Sequence, residues 1–157
     1  MPGLSENYEK YLLWWMFKQT AFVAVPTELH VSLHSANPTD SRTTAAGNEL
    51  TGNGYARAQL DPDPNSGTNT NWNSIAGGVG TEQQISNKLD IEFPPASADW
   101  NSGSAIQYFG LWAVASGGTD DDYLGNGTIT GGGVVVLSGN TLKFLGGTPG
   151  NLVFSMD

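Results

Sequence analysis

The chain has 157 residues, no cysteine and a net charge of -9. This length suits one domain with its own core, and the lack of cysteine excludes disulfides and thiolate metal sites. The excess of 15 acidic over 6 basic residues argues against direct nucleic-acid binding, which depends on Lys and Arg neutralising phosphates.

The first 22 residues hold an apolar segment that is predicted to form one helix, beginning near Leu4 and ending near Lys18. Ser5 is a suitable N-cap, and Glu6 and Glu9 complement the helix dipole in the first turn. Five residues recur with the spacing of a helical stripe, and four more add apolar surface on the other sides. The stripe is Leu4, Tyr8, Tyr11, Leu12 and Trp15, and the additional residues are Leu13, Trp14, Met16 and Phe17.

A helix that is apolar most of the way round must be covered by more than one neighbour. We therefore expect residues 1–22 to form a docking helix that also contacts another subunit. The segment does not fit a signal peptide, because Glu6 and Glu9 stand where a basic start is required. It is also too short, and too interrupted by Lys18, to span a bilayer.

Residues 23–157 are predicted to form an all-β domain, an antiparallel β-sandwich or jelly-roll-like fold. Alternation of apolar and polar residues indicates half-buried strands, and the run at 105–114 indicates a central strand that is apolar on both faces. Residues 134–145 read as a hairpin, 41–54 as a polar loop and 61–80 as a long surface loop. The predicted strands are 28–34, 55–60, 88–93, 105–114, 123–130, 134–137, 141–145 and 152–156.

Three clusters carry residue types that bind metal ions, but none has the required pattern. His30 and His34 share the polar face of one strand, where four residues at about 3.3 Å each place them roughly 13 Å apart. We expect them to be solvated or to lie at an interface. The acidic run at 61–67 begins like a calcium loop, but its Gly comes one place late and Trp72 stands where the loop needs Glu. The acids at 120–122 are expected to be solvated.

Nothing in the chain predicts catalysis or a cofactor. No Gly-x-Ser-x-Gly element or phosphate-binding Gly-rich loop is present, so we do not expect an enzyme. Trp72, Trp100 and Trp112 could stack on a sugar, although Trp112 is better explained as core and Trp100 as an anchor at a strand end. A glycan-binding module therefore stays open as one alternative.

Several segments follow one another in a familiar order. The apolar helix leads to 27–34, then to Asn37-Pro38-Thr39-Asp40, and later to Tyr108-Phe109-Gly110-Leu111-Trp112. The most specific pieces are Gly52-x-Gly54-Tyr55-Ala56-Arg57 and the stretch from Phe93-Pro94 to Asp99-Trp100. The ordered set resembles a family of small virion proteins of tailed bacteriophages, which are described as tail-fibre-like and include or resemble capsid decoration (cement) proteins.

The resemblance implies a structural protein of the virion, on the capsid exterior or the tail, assembled in the host cytoplasm. Our leading expectation is a capsid decoration protein that stabilises the head by bridging subunits. The alternative is a tail component, such as a fibre base, collar or baseplate protein. The expected partners are the major capsid protein or tail components and further copies of the chain, a trimer being one arrangement; neither nucleic acid nor membrane is expected.

The expected interface lies on the helix, with one residue from the β domain. Arg57 alternates with Ala56 and Ala58, so we expect it to point away from the core and either pair with a neighbouring subunit or be solvated. The expected interface residues are Leu4, Tyr8, Tyr11, Leu12, Trp14, Trp15, Phe17 and Arg57.

Overall fold

A computed structural model describes residues 3–18, 26–61, 73, 83–129, 131–147 and 153–156. Two α-helices and a short 3₁₀-helix at Trp100–Gly103 accompany the strands of this part of the chain. The helices are α1 (Glu6–Lys18) and α2 (Arg42–Asn48). The strands are β1 (Gly3–Leu4), β2 (Leu29–His34), β3 (Ala58–Asp61), β4 (Gln83–Ser86), β5 (Ile91–Glu92), β6 (Tyr108–Trp112), β7 (Tyr123–Thr128), β8 (Lys143–Phe144) and β9 (Val153–Met156).

The main sheet has five strands in the order β1-β7-β6-β2-β3, and each neighbouring pair is antiparallel. Two smaller antiparallel pairs join β4 to β9 and β5 to β8. The predictions of an N-terminal helix and of a mostly β, antiparallel fold are confirmed. A sandwich or jelly roll, and the division at residues 22 and 23, stay predictions.

Strand β6 lies at the centre of the main sheet, as its apolar sequence predicts. It pairs with β2 on one side, where Val31 faces Leu111 and Leu33 faces Phe109, and with β7 on the other. Val31 and Leu33 are completely buried and Phe109 nearly so. An antiparallel strand covered on both faces reads as an apolar run rather than as an alternation, which is why this element is predictable.

The two most specific segments of the resemblance pack against each other. The Tyr55 ring lies edge-on to Trp100 at 5.4 Å and stacks on Phe93 at 6.3 Å between centroids. The Asn53 carbonyl accepts a hydrogen bond from Trp100 Nε1 at 2.9 Å. Gly54 has a φ of +77°, and a Cβ there would lie 2.9 Å from the Pro95 carbonyl oxygen. This pairing of segments therefore builds the core.

The predicted strand at 88–93 and the hairpin at 134–145 require correction. Only Ile91–Glu92 is a strand. Alternation along 88–93 would place Leu89 on the same inward face as Ile91 and Phe93, but Leu89 is 53% exposed. The two arms of the expected hairpin pair elsewhere. Val134 bridges to Ile106, and β8 pairs with β5. Both arms have strand-like sequences, but the turn between them does not fix their partners.

The segment at 41–54 is not entirely a loop, since it contains α2. Ala45 of this helix is completely buried beside Trp112 and Tyr123, so tertiary packing holds a helix too short to be stable alone. The predicted loop at 61–80 and the calcium-like run at 61–67 lie almost entirely outside the described residues. Among the helices described, none is both long and apolar enough to cross a bilayer.

The expectation that His30 and His34 are solvated or at an interface is wrong for the folded chain. His30 is 5% exposed, and Glu28 Oε2 lies 3.0 Å from its Nε2; His34 is completely buried. Ser32 Oγ accepts from Trp112 Nε1 at 2.8 Å and lies 2.6 Å from His34 Nε2. The Ser32 hydroxyl therefore links the buried Trp112 and His34 side chains. Burial lowers the pKa of His34 to about 4.

Candidate docking surface on the N-terminal helix

The first turn of α1 is fixed to the β domain by backbone bonds. Strand β1 pairs with β7, with Leu4 opposite Gly125. The Ser5 amide then donates to the Leu124 carbonyl at 2.9 Å, and the Glu6 amide donates to the Asp40 carbonyl at 3.1 Å. The predicted N-cap role of Ser5 fits the hydrogen bond from the Tyr8 amide to Ser5 Oγ, at 3.4 Å. The helix therefore starts from a fixed position.

A single carboxylate holds the next turn. Asn7 Nδ2 and the Tyr11 hydroxyl both donate to Asp121 Oδ1, at 2.5 and 2.6 Å. This hydrogen bond is the main reason that the pKa of Tyr11 is raised. Burial, with smaller contributions from Asp121 and Asp122, raises the pKa of Tyr8 to about 12. Both phenols therefore remain protonated near neutral pH, and the Tyr11 hydroxyl can donate to Asp121.

The aromatic residues of α1 form a short ladder along the helix. Tyr8 meets Tyr11 edge-on at 6.3 Å, and Tyr11 meets Trp14 edge-on at 5.9 Å. Lys10 Nζ lies 5.3 Å from the Tyr11 centroid and 5.1 Å from the Trp14 centroid, within reach of a cation–π interaction. The ladder runs from the clamped part of the helix to its exposed end.

The exposed end carries five consecutive apolar residues, 13–17, which we name the apolar tip. Their exposed fractions are 55% for Leu13, 38% for Trp14, 56% for Trp15, 56% for Met16 and 75% for Phe17. Successive helical residues are rotated by about 100°, so these five side chains surround the helix. Contiguous exposed apolar surface is uncommon in soluble monomers and often coincides with interaction sites.

The structure divides the predicted interface residues of α1 into two groups. Tyr8 is buried, and Leu4 of β1, Tyr11 and Leu12 are half-buried. Leu4 pairs with β7 and the Tyr11 hydroxyl donates to Asp121, and these contacts attach the start of the helix to its own chain. The exposed members are Trp14, Trp15 and Phe17. Leu13 and Met16 belong to the same surface, although we did not include them among the expected interface residues. The sequence signal that could have identified Leu13 and Met16 as interface residues was their apolar side chains within an already apolar helix.

Arg57 does not point away from the core, so that expectation is wrong. It is 8% exposed and forms an ion pair with Glu49, with 2.7 Å between Nη2 and Oε2. Its guanidinium carbon lies 3.9 Å from the Trp112 ring centroid. Arg57 lies just before β3, where the backbone is not a regular strand, so alternation could not assign its orientation.

The other candidate residues serve the chain's own fold. Asp121 holds α1, and Asp122 Oδ2 accepts from the Thr119 amide and hydroxyl, both at 2.7 Å. These two acids are therefore not simply solvated. Trp112 is 0% exposed, which agrees with its assignment to the core. Trp100, which was expected to anchor a strand end, is 2% exposed and begins the 3₁₀-helix, so it also belongs to the core. Within the described ranges, no group of three or more His, Asp or Glu is arranged to hold a metal ion.

The family comparison matches residues 3–147, which include α1, the apolar tip and the five-stranded sheet. The matching family is described as podophage GP4 fiber I protein gp80. The chain belongs to this family. It is therefore a tail-fibre-like virion protein of a tailed phage, and a fibre family suggests a structural rather than a catalytic protein. No curated protein matches the chain.

Proposed function

We propose that this chain is a structural subunit of a podophage tail fibre, held in the virion by the apolar tip of α1. The observation that carries the proposal is the tip itself. A helix whose first turns are fixed by Asp121 and by backbone bonds presents Trp15 and Phe17 to solvent. In a fibre-family chain, such a surface suits permanent contact with other virion subunits.

The size of the tip supports docking. Five side chains with these exposed fractions present roughly 600 Å² of surface, since large aromatics contribute about 150–250 Å² when fully accessible. At about 25 cal/mol per Å², complete burial would contribute up to about 15 kcal/mol. Association costs about 4–15 kcal/mol. The tip can therefore sustain assembly only if most of it is covered.

The family description favours the tail over the capsid. Our leading expectation from sequence, capsid decoration, has no support from the fibre description, whereas the tail alternative agrees with it. Copy number separates the two locations, because a decoration protein covers the shell while a fibre subunit occurs only where fibres attach.

The test is complementation of a phage that lacks this gene. Trp15→Ser/Phe17→Ser removes the two most prominent aromatics of the tip, and Leu145→Ser removes an apolar side chain of similar exposure, 53%, elsewhere. We expect the double variant to fold but to be lost from purified particles, and the control to be incorporated normally. Normal incorporation of the folded double variant would overturn the docking role.

A further inference from the structure

Two Asn-Gly pairs occur in the chain, Asn53-Gly54 and Asn126-Gly127. In such a pair the backbone nitrogen of the glycine can attack the side-chain amide carbon of the asparagine, because glycine has no Cβ that shields its nitrogen or restricts its backbone. In a folded chain the attack depends on how exposed the two residues are and on which contacts hold them. The structure places the two pairs in opposite environments, so each serves as a comparison for the other.

The pair Asn53-Gly54 lies in an exposed turn. Gly52, Asn53 and Gly54 are exposed, and their φ angles are +73°, +54° and +77°. Asparagine is one of the few residues with a side chain that adopts this left-handed conformation. Within the part of the chain that the structure describes, no group accepts a hydrogen bond from the Gly54 amide. The Asn53 side chain is held by one solvent-exposed hydrogen bond, from Nδ2 to the Asp99 carbonyl at 2.9 Å.

The pair Asn126-Gly127 lies within β7 and is held on all sides. Asn126 is 5% exposed, and its Nδ2 donates to the Thr39 carbonyl and to Asp40 Oδ1, both at 2.9 Å. Gly127 pairs with Phe109 of β6, whose ring packs directly over it. To react, this pair would have to leave the ladder between β6 and β7, and opening of a core strand approaches the cost of unfolding the domain. The fold therefore protects Asn126.

We propose that Asn53 is a site of spontaneous deamidation in the folded chain. The Gly54 nitrogen loses its proton to base and bonds to Cγ of Asn53, and the side-chain nitrogen takes up a proton from water and leaves as ammonia. A succinimide ring then joins the two residues. Water opens this ring at the side-chain carbonyl to give aspartate, or at the backbone carbonyl to give isoaspartate. Either product adds a negative charge to a chain that already carries -9.

Isoaspartate at position 53 would disturb the core, because Asn53 joins the turn to the segment that carries Trp100. The Asn53 carbonyl accepts hydrogen bonds from the Ser97 amide and from Trp100 Nε1, both at 2.9 Å. In isoaspartate this carbonyl becomes a free carboxylate, and the chain is lengthened because it runs through the side chain. Gly54 is already packed tightly, since a Cβ there would lie 2.9 Å from the Pro95 carbonyl oxygen. The longer backbone should therefore loosen this contact.

The aspartate product keeps the normal backbone, so its effect should be smaller. It replaces the amide donor with a carboxylate oxygen, which cannot donate to the Asp99 carbonyl. Asn53→Asp therefore reproduces the added charge without lengthening the chain. Asn53→Gly removes the reactive amide and places glycine, which tolerates a positive φ, in the left-handed position. These two variants are the matched controls for the reaction and for its consequence.

The test is ageing of the purified full-length chain in mildly alkaline buffer, followed by digestion and mass spectrometry of the peptides that contain Asn53 and Asn126. In the folded chain we expect Asn53 to react at least about tenfold faster, because only Asn126 requires a core strand to open. In urea we expect similar rates, because glycine follows both residues. Equal rates in the folded chain, or reaction of Asn53 in urea alone, would overturn the proposal.

The consequence of the reaction is measured on the separated products. Ion exchange resolves the aged chain by its added charge, and an isoaspartyl methyltransferase identifies the isoaspartate fraction. We expect this fraction to unfold at a lower urea concentration than Asn53→Asp, and the midpoint of Asn53→Gly to stay unchanged on ageing. Equal midpoints for the isoaspartate fraction and Asn53→Asp would overturn the loosening of the contact with Trp100. None of these outcomes depends on the place of the chain in the virion, so the proposed function is tested separately.

Discussion

Replacing Arg57 with Met should destabilise the folded chain severely, because the guanidinium satisfies several buried groups together. Arg57 donates to the two Glu49 carboxylate oxygens at 2.8 and 2.7 Å. It also donates to the Val114 and Gly117 carbonyls, at 2.9 and 3.0 Å. Its stacking on Trp112 is lost in the variant as well.

The magnitude follows from burial. The side chains of Arg57 and Glu49 are 2% and 13% exposed. Removing the guanidinium therefore leaves the Glu49 carboxylate without its charge partner and with little access to solvent. Breaking a buried pair in this way costs about 3–5 kcal/mol, whereas an exposed pair contributes about 0–1 kcal/mol. Arg57→Lys should fall between these values, because lysine keeps the charge but cannot form the bidentate contact or stack.

Urea denaturation measures the free energy of unfolding of each variant. Arg57→Met/Glu49→Gln is the matched control, and it should recover part of the loss because the unpaired charge is gone. A loss below about 1 kcal/mol for Arg57→Met would refute the buried pair and return Arg57 to the surface role first expected from its sequence.

Three further predictions concern the core and the attachment of α1. The folded pKa of His34, about 4, lies below its ordinary 6.5, so the unfolded chain binds an extra proton between these values. The free energy of unfolding should therefore fall by about 3 kcal/mol as the pH drops through this window. Urea denaturation at several pH values measures this fall, and His34→Gln should lose it; an equal dependence of the unfolding free energy on pH in His34→Gln would contradict the assignment to His34. Gly110→Ala should lower the free energy of unfolding by about 1–3 kcal/mol, because the added Cβ would lie 2.7 Å from His34 Nε2 and from Ser32 Oγ. Thermal unfolding measures this loss, and an unchanged melting temperature would contradict the close packing at Gly110. Asp121→Ala should speed amide exchange around Tyr11 without affecting β6, because it removes an acceptor of α1; unchanged exchange in α1 would show that this carboxylate does not hold the helix.

The sequence was most informative where one physical signal dominated. Strand β6 is apolar on both faces and lies between two neighbours, and α1 has both an N-cap and an acidic first turn. Helix α2 was not predictable from local signals, because Thr, Gly and Asn suggest turns and the helix depends on burial of Ala45. The pairing of β5 with β8 is also non-local, so no turn specifies it.

The candidate site was predicted in outline only. The apolar character of α1 identified the correct element, but it could not say which residues its own chain covers. That division depends on Asp121, which is far from α1 in sequence. Alternation along the chain assigned His34 and Arg57 to the polar, outward face. Both are buried beside partners, Ser32 and Glu49 respectively, that the sequence did not link to them.

The central claim is that this chain is a tail-fibre subunit, and quantitative mass spectrometry of purified particles tests it most directly. The measurement compares the abundance of this chain with that of the major shell protein. We predict a small fraction of the shell protein's copy number, as fibres occupy only the tail. An amount comparable to the shell protein would contradict the tail location and favour capsid decoration, and absence from particles would contradict a virion role altogether.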